Sequence, residues 1–168
     1  MNEWITDLLA LQDLDMKIRN LKLRISTIPS EKARLDSLVK EASAKVDAAK
    51  DALRKIDRAM KESEGEIEKL NEASRKLLTQ SAMVKKNNEY QAMMADIEAK
   101  KKAVSDLETV ILERMDQAEE AQKGIAAAEK ELAVTQKSVK AELTDLVGLK
   151  QEVETQITER LKVRKAYE

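Results

Sequence analysis

The side chains with chemistry to offer gather near the midpoint of the chain, at residues 83–93, M-V-K-K-N-N-E-Y-Q-A-M. Lys85, Lys86, Asn87, Asn88, Glu89 and Tyr90 bring two cations, two amides, one carboxylate and one phenol into six consecutive positions. Such a set can bind but has no activated nucleophile or base with which to break a bond. Arg75, Lys76, Lys100, Lys101 and Lys102 lie around it, against Glu89, Asp96 and Glu98, so the region is locally basic. From 106 to 145 the balance reverses and acids exceed bases about twofold. A positive patch on an acidic shaft suits an acidic protein surface or a phosphate backbone. It also suits a loop merely kept soluble by lysines. Tyr90 can stack on a base, but a lone aromatic is expected to pack across the turn.

Elsewhere the sequence argues against catalysis. It has no His and no Cys, which removes the commonest base at neutral pH, a thiol nucleophile, every disulfide and every thiolate zinc site. Glu119 and Glu120 are adjacent, but neighbours on a helix point about 100° apart, so they form no carboxylate pair. No catalytic residue, cofactor-binding residue or metal ligand is expected, and no enzymatic activity. The formal net charge is -1, which gives no global attraction to nucleic acid or membrane. The N-terminal stretch carries Glu3 and Asp7 among its apolar residues, unlike a signal peptide, and no run suits a membrane span. A cytoplasmic location and no membrane partner are expected.

The elements that must position the central stretch are long helices. Charged residues make up 38% of the chain and aromatics 2%, with three Gly and one Pro, the composition of a coiled coil. Leu11, Leu14, Ile18, Leu21, Ile25 and Ile28 alternate steps of three and four, a heptad seam. Asn2 is the expected N-cap, and Trp4 an end-cap of the seam. Pro29 should stop or kink the first helix. Beyond it the seam is read through Leu35, Leu38, Ala42, Val46, Ala49, Leu53, Ile56 and Met60, with a stutter between Ala42 and Val46 that locally unwinds the supercoil. After the centre, every seventh residue from Ile97 to Val153 is aliphatic, and a second column drifts through Leu107, Met115, Ala121, Ala128, Leu143, Leu149, Ile157 and Leu161.

About 84 residues precede the centre and about 80 follow it, so each arm would span roughly 120 Å at the helical rise. Matched arms predict an all-α fold: one long antiparallel coiled-coil helical hairpin over 1–168, with arm one at 2–84 kinked near Pro29, a tip at 85–88 about Asn87, and arm two at 89–166. A reversal at Pro29, giving a three-helix bundle at one end, would leave 143–161 without a partner for its apolar face. A jog is favoured. Folding about Asn87 brings Gly148 to the level of Pro29, where both arms are expected to bend. Asn88 and Gln91 have the spacing of a capping box that would open arm two.

L-L-A-L-Q-D-L-D-M-K-I near the start, I-P-S-E-K-A-R-L at the break, and above all V-K-K-N-N-E-Y-Q-A-M-M-A-D-I-E at the centre resemble the bacterial coiled-coil hairpin proteins that carry a four-cysteine zinc ribbon at their C-terminus. The resemblance covers essentially the whole chain, with N-x-E-Y-x-A as its specific part. It implies a long antiparallel hairpin turning at 87–90. Members are commonly described as nucleic-acid-binding, and some are linked to flagellar or type III secretion systems and to the alternative sigma factor that serves them. The chain ends at Glu168 with no cysteine, so zinc enters only if a ribbon follows; a cut after the hairpin is the favoured explanation.

The resulting expectation is a non-enzymatic protein-interaction adaptor or chaperone-like scaffold that presents Lys85, Lys86, Asn87, Asn88, Glu89 and Tyr90 to a protein partner. RNA binding through the same basic tip is the alternative. Exposed seam residues also allow a homodimer of two hairpins.

Overall fold

The computed structural model describes residues 2–167; Met1 and Glu168, the outer limits of the expected hairpin domain, lie outside the described residues. Three helices account for nearly all of it: α1 (Glu3–Ser26), α2 (Ile28–Ser81) and α3 (Asn87–Ala166). The fold is a coiled-coil hairpin, with α1 and α2 forming one arm and α3 the other. No helix among the described residues is long and apolar enough to cross a membrane.

Pro29 produces a jog and not a reversal. It stands in the first turn of α2, where its missing N–H would have had no helical acceptor. Thr27 keeps right-handed helical angles (φ -84°, ψ -17°), and the Glu31 amide donates to the Thr27 carbonyl at 3.1 Å across the break. The chain therefore leaves α1 and enters α2 without turning back. Asn2 holds the N-cap position of α1, but only its carbonyl is used, accepting from the Ile5 amide at 3.1 Å; its side chain makes no capping bond.

The residues divide into two compact units. The first pairs the chain up to Ala44 with the chain from Lys130 onward. Its core is a line of buried aliphatics, Ile18, Ile28, Leu35 and Ala42 from one arm, Val139 and Val153 from the other. Leu35, at 1% exposure, and Val153, at 2%, are the most completely enclosed, and full burial of such a side chain contributes about 1.5–3 kcal/mol. Asp15 accepts from Arg164 at 2.6 Å and Arg34 approaches Glu142 at 3.5 Å, so α1 and the start of α2 both face α3, running antiparallel to it. A bundle in which α1 folds back on α2 is thereby ruled out. Trp4 is 64% exposed and does not cap the seam; its neighbour Ile5 is the half-buried residue of the pair.

The second unit runs from Lys45 to Glu129 and holds the turn between the arms. Val46 and Ile97 are its buried aliphatic residues, and Lys50 meets Glu129 across the arms at 3.6 Å.

Burial corrects two readings of the heptad. At the start of α2 the seam passes through Val39, which is half-buried, while its neighbour Leu38 is exposed. With Lys32 also half-buried, a seam of buried and half-buried positions runs Ile28, Lys32, Leu35, Val39, Ala42, Val46, Ala49 in steps of four and three, with Ser43 half-buried beside it. The expected stutter at Ala42 does not exist; it arose from choosing the wrong member of an adjacent apolar pair. On α3 the column from Ile97 to Val153 stands, but Met115 and Leu161 are exposed and their neighbours Arg114 and Arg160 take the half-buried places.

Candidate interaction surface at the hairpin turn

The turn is built by the way α2 ends. Ser81, the last residue of α2, is buried at 6% exposure and its hydroxyl donates to the Leu78 carbonyl at 2.7 Å. The amides of Met83 and Val84 fold back onto the carbonyls of Gln80 and Ser81, at 3.0 and 3.4 Å. These bonds satisfy carbonyls that the helix end would otherwise leave open. Val84 then turns inward to a half-buried position, and the connection is complete over residues 82–86, earlier than the expected 85–88.

Helix α3 begins at Asn87, with the Tyr90 amide donating to the Lys86 carbonyl at 3.1 Å. Lys86 thus occupies the cap position. Asn88 lies inside the first turn and makes no side-chain hydrogen bond, so the capping box expected from Asn88 and Gln91 does not form. What favours the helix start is Glu89, whose carboxylate sits in the first turn near the positive end of the helix dipole.

All six expected tip residues sit together at this end, with Lys85 and Lys86 in the connection and Asn87, Asn88, Glu89 and Tyr90 in the first turn of α3, all exposed. Tyr90 is exposed, at 43%, and is not enclosed across the turn as expected. Two cations of the region are neutralised locally: Lys100 by Asp96 at 2.9 Å and Lys101 by Glu98 at 3.7 Å. Arg75, Lys76, Lys85, Lys86 and Lys102 have no ionic partner among the described residues, which leaves the end of the unit positive.

Two further residues belong to this surface. Met83 is 78% exposed and Leu78 57% exposed, an apolar complement to the cations. Leu78 faces an open groove of about 390 Å³ that it shares with Ser74, Arg75, Met94 and Lys101. In the sequence, Leu77 satisfies the heptad and leaves its neighbour Leu78 out of phase, which is the signal that Leu78 must face outward. No group of His, Cys, Asp or Glu side chains suited to hold a metal ion occurs among the described residues.

The model of the CT398-like coiled coil hairpin domain matches residues 11–167. Among solved structures, that of CT398 from Chlamydia trachomatis is similar, with a TM-score of 0.82 at 23% identity, covering 96% of this chain and 69% of the other. At that identity the likeness is one of fold. No curated protein sequence matches the chain significantly.

Proposed function

We propose, for a chain that belongs to the CT398-like coiled coil hairpin family, that it acts as a non-enzymatic adaptor or scaffold and captures a protein partner at the turn between its arms. The observation that carries this reading is the composition of the surface: exposed Leu78, Met83 and Tyr90 interleaved with the unpaired cations Arg75, Lys76, Lys85 and Lys86. A phosphate backbone is met by cations and polar donors, and exposed methionine and leucine add nothing to it. A protein helix with an apolar stripe and acidic flanks uses both parts, the stripe against the groove and the flanks against the cations. Asn87, Asn88 and Glu89 form the polar rim of the patch in this reading. The setting expected from the resemblance, secretion or sigma factor control, rests on that resemblance alone, and the identity of the partner decides it.

The test is a triple variant, Lys85→Glu, Lys86→Glu and Tyr90→Ala, compared with the unaltered protein in affinity purification from the native cell. The prediction is loss of at least about tenfold of a specific co-purifying protein, identified by mass spectrometry, with the helical circular dichroism unchanged, since all three positions are exposed. Capture that survives the triple variant sinks the proposal. A salt-sensitive gel shift with RNA or DNA, lost in the same variant and without any protein partner, would replace it with the nucleic-acid reading.

A further inference from the structure

Helix α1 carries a second patterned surface outside the seam. Leu9, Met16 and Leu23 repeat every seven residues, yet none belongs to the seam: they are 56%, 60% and 57% exposed, while Leu11, Leu14, Ile18, Leu21 and Ile25 are half-buried or buried. Residues three and four apart are neighbours on a helix, so Gln12 and Asp13 lie between Leu9 and Met16, and Arg19 and Asn20 between Met16 and Leu23. All four are exposed. The strip is continuous, and none of its residues is enclosed by the rest of the hairpin.

Its order has a symmetry. Counting outward from Met16 in both directions, Asp13 mirrors Arg19, Gln12 mirrors Asn20, and Leu9 mirrors Leu23. Every apolar residue reflects onto an apolar residue, each amide onto an amide, and the acid onto a base. Such a surface is complementary to itself when turned end for end, which is the requirement for an isologous contact about a two-fold axis. A parallel pairing would set Asp13 against Asp13 and Arg19 against Arg19, and is disfavoured.

We infer that the outer face of α1 binds a second copy of this chain, with the two α1 helices antiparallel and the two-fold axis at Met16. Leu9 of each copy then packs at the level of Leu23 of the other, the two Met16 side chains meet on the axis, and Asp13 of each lies at the level of Arg19 of the other, within reach of its long side chain. Arg19 has no ionic partner among the described residues, so it is available. Asp13 is held by Lys17 at 2.9 Å, an exposed i,i+4 pair that is weak enough to exchange. Leu23 also borders an open groove of about 490 Å³ that extends to Leu161 and Arg164, which gives the incoming Leu9 room to seat. The contact is small, so the dimer is one of micromolar affinity, with the charges fixing its direction more than its strength. None of this depends on the turn between the arms.

The absence of cysteine makes the test direct, because an introduced thiol is unique. Helices in contact run about 8–10 Å apart, which brings facing positions within disulfide range. Under mild oxidation at micromolar concentration, full-length Met16→Cys should cross-link to itself at least about ten times faster than Gln136→Cys, an exposed control on α3. Leu9→Cys and Leu23→Cys should each remain single chains when alone and cross-link when mixed. In sedimentation experiments, Asp13→Arg should weaken the dimer about tenfold or more, and adding Arg19→Asp should restore it to within about threefold. A monomer at every concentration up to several hundred micromolar, with no preference for Met16→Cys, overturns the inference. Homotypic cross-linking of Leu9→Cys as fast as that of Met16→Cys overturns the antiparallel register.

Discussion

Two arginines of α3 stand where a coiled coil ordinarily keeps aliphatic side chains. Arg114 and Arg160 are half-buried in the seam, and the Nε of each is shielded from water without a hydrogen-bond partner. Their stems contribute apolar surface, as long cationic side chains do when the head reaches solvent. The unsatisfied Nε works against that gain, since a buried donor left unpaired costs about 1–3 kcal/mol. Arg114→Met keeps a flexible unbranched stem and removes the donor. The variant should unfold at higher denaturant concentration, with a gain of about 1 kcal/mol in chemical denaturation followed by circular dichroism. A loss of stability would mean that the guanidinium contributes more than its orphaned nitrogen costs. Periodicity could not find these arginines, for the same reason that it chose Leu38 over Val39. Where two apolar residues are adjacent, or an apolar residue follows an arginine, hydropathy favours the apolar residue regardless of phase, and only the partner surface decides which one is enclosed.

At the scale of the helix, the sequence carried element type and direction better than the chemistry of the ends. Unbroken heptads predict long helices, and Pro29 at a helix start predicts a jog, because proline in a first turn forfeits no hydrogen bond. Caps were less legible: Asn2 and Asn88 have the right side chains, but at Asn2 only the backbone is used and at Asn88 the helix has already begun. Several residues near a terminus can cap equally well, and the choice follows from how the chain arrives, here from the Ser81 turn. Gly148 is a different case. It lies within the uninterrupted α3 helix, and a methyl group added there would meet nothing within 4 Å. Its presence therefore costs helix propensity without serving close packing. Gly148→Ala should stabilise the protein by about 0.5–1 kcal/mol and raise the melting temperature by about 2 °C in a thermal scan. A destabilised variant would show that α3 needs a bend at this level, as the alignment of Gly148 with Pro29 suggests.

For the molecule as a whole, nearly balanced charge hides a segregated one. The net charge is -1, yet the turn is positive and the stretch from 106 to 145 is acidic. Composition revealed the balance, and position along the chain revealed the segregation, but which cations are neutralised was visible only in the structure, where Lys100 and Lys101 are paired and Lys85 and Lys86 are not. Salt should therefore separate fold from function. Charged contacts between the arms include Asp15 with Arg164, Arg34 with Glu142 and Lys50 with Glu129, whose side chains all reach solvent, so that each contributes at most about 1 kcal/mol. Apart from Lys32, Arg114 and Arg160 the named seam positions are aliphatic, and their burial is indifferent to screening. Raising sodium chloride from 0.1 to about 1 M shortens the screening length from about 10 to 3 Å. Over that range the melting temperature should shift by less than about 3 °C, while capture at the turn should weaken by at least about tenfold. A hairpin that melts with added salt would refute the assignment of its stability to the seam. Capture indifferent to salt would instead move the binding energy from the unpaired lysines to Leu78, Met83 and Tyr90.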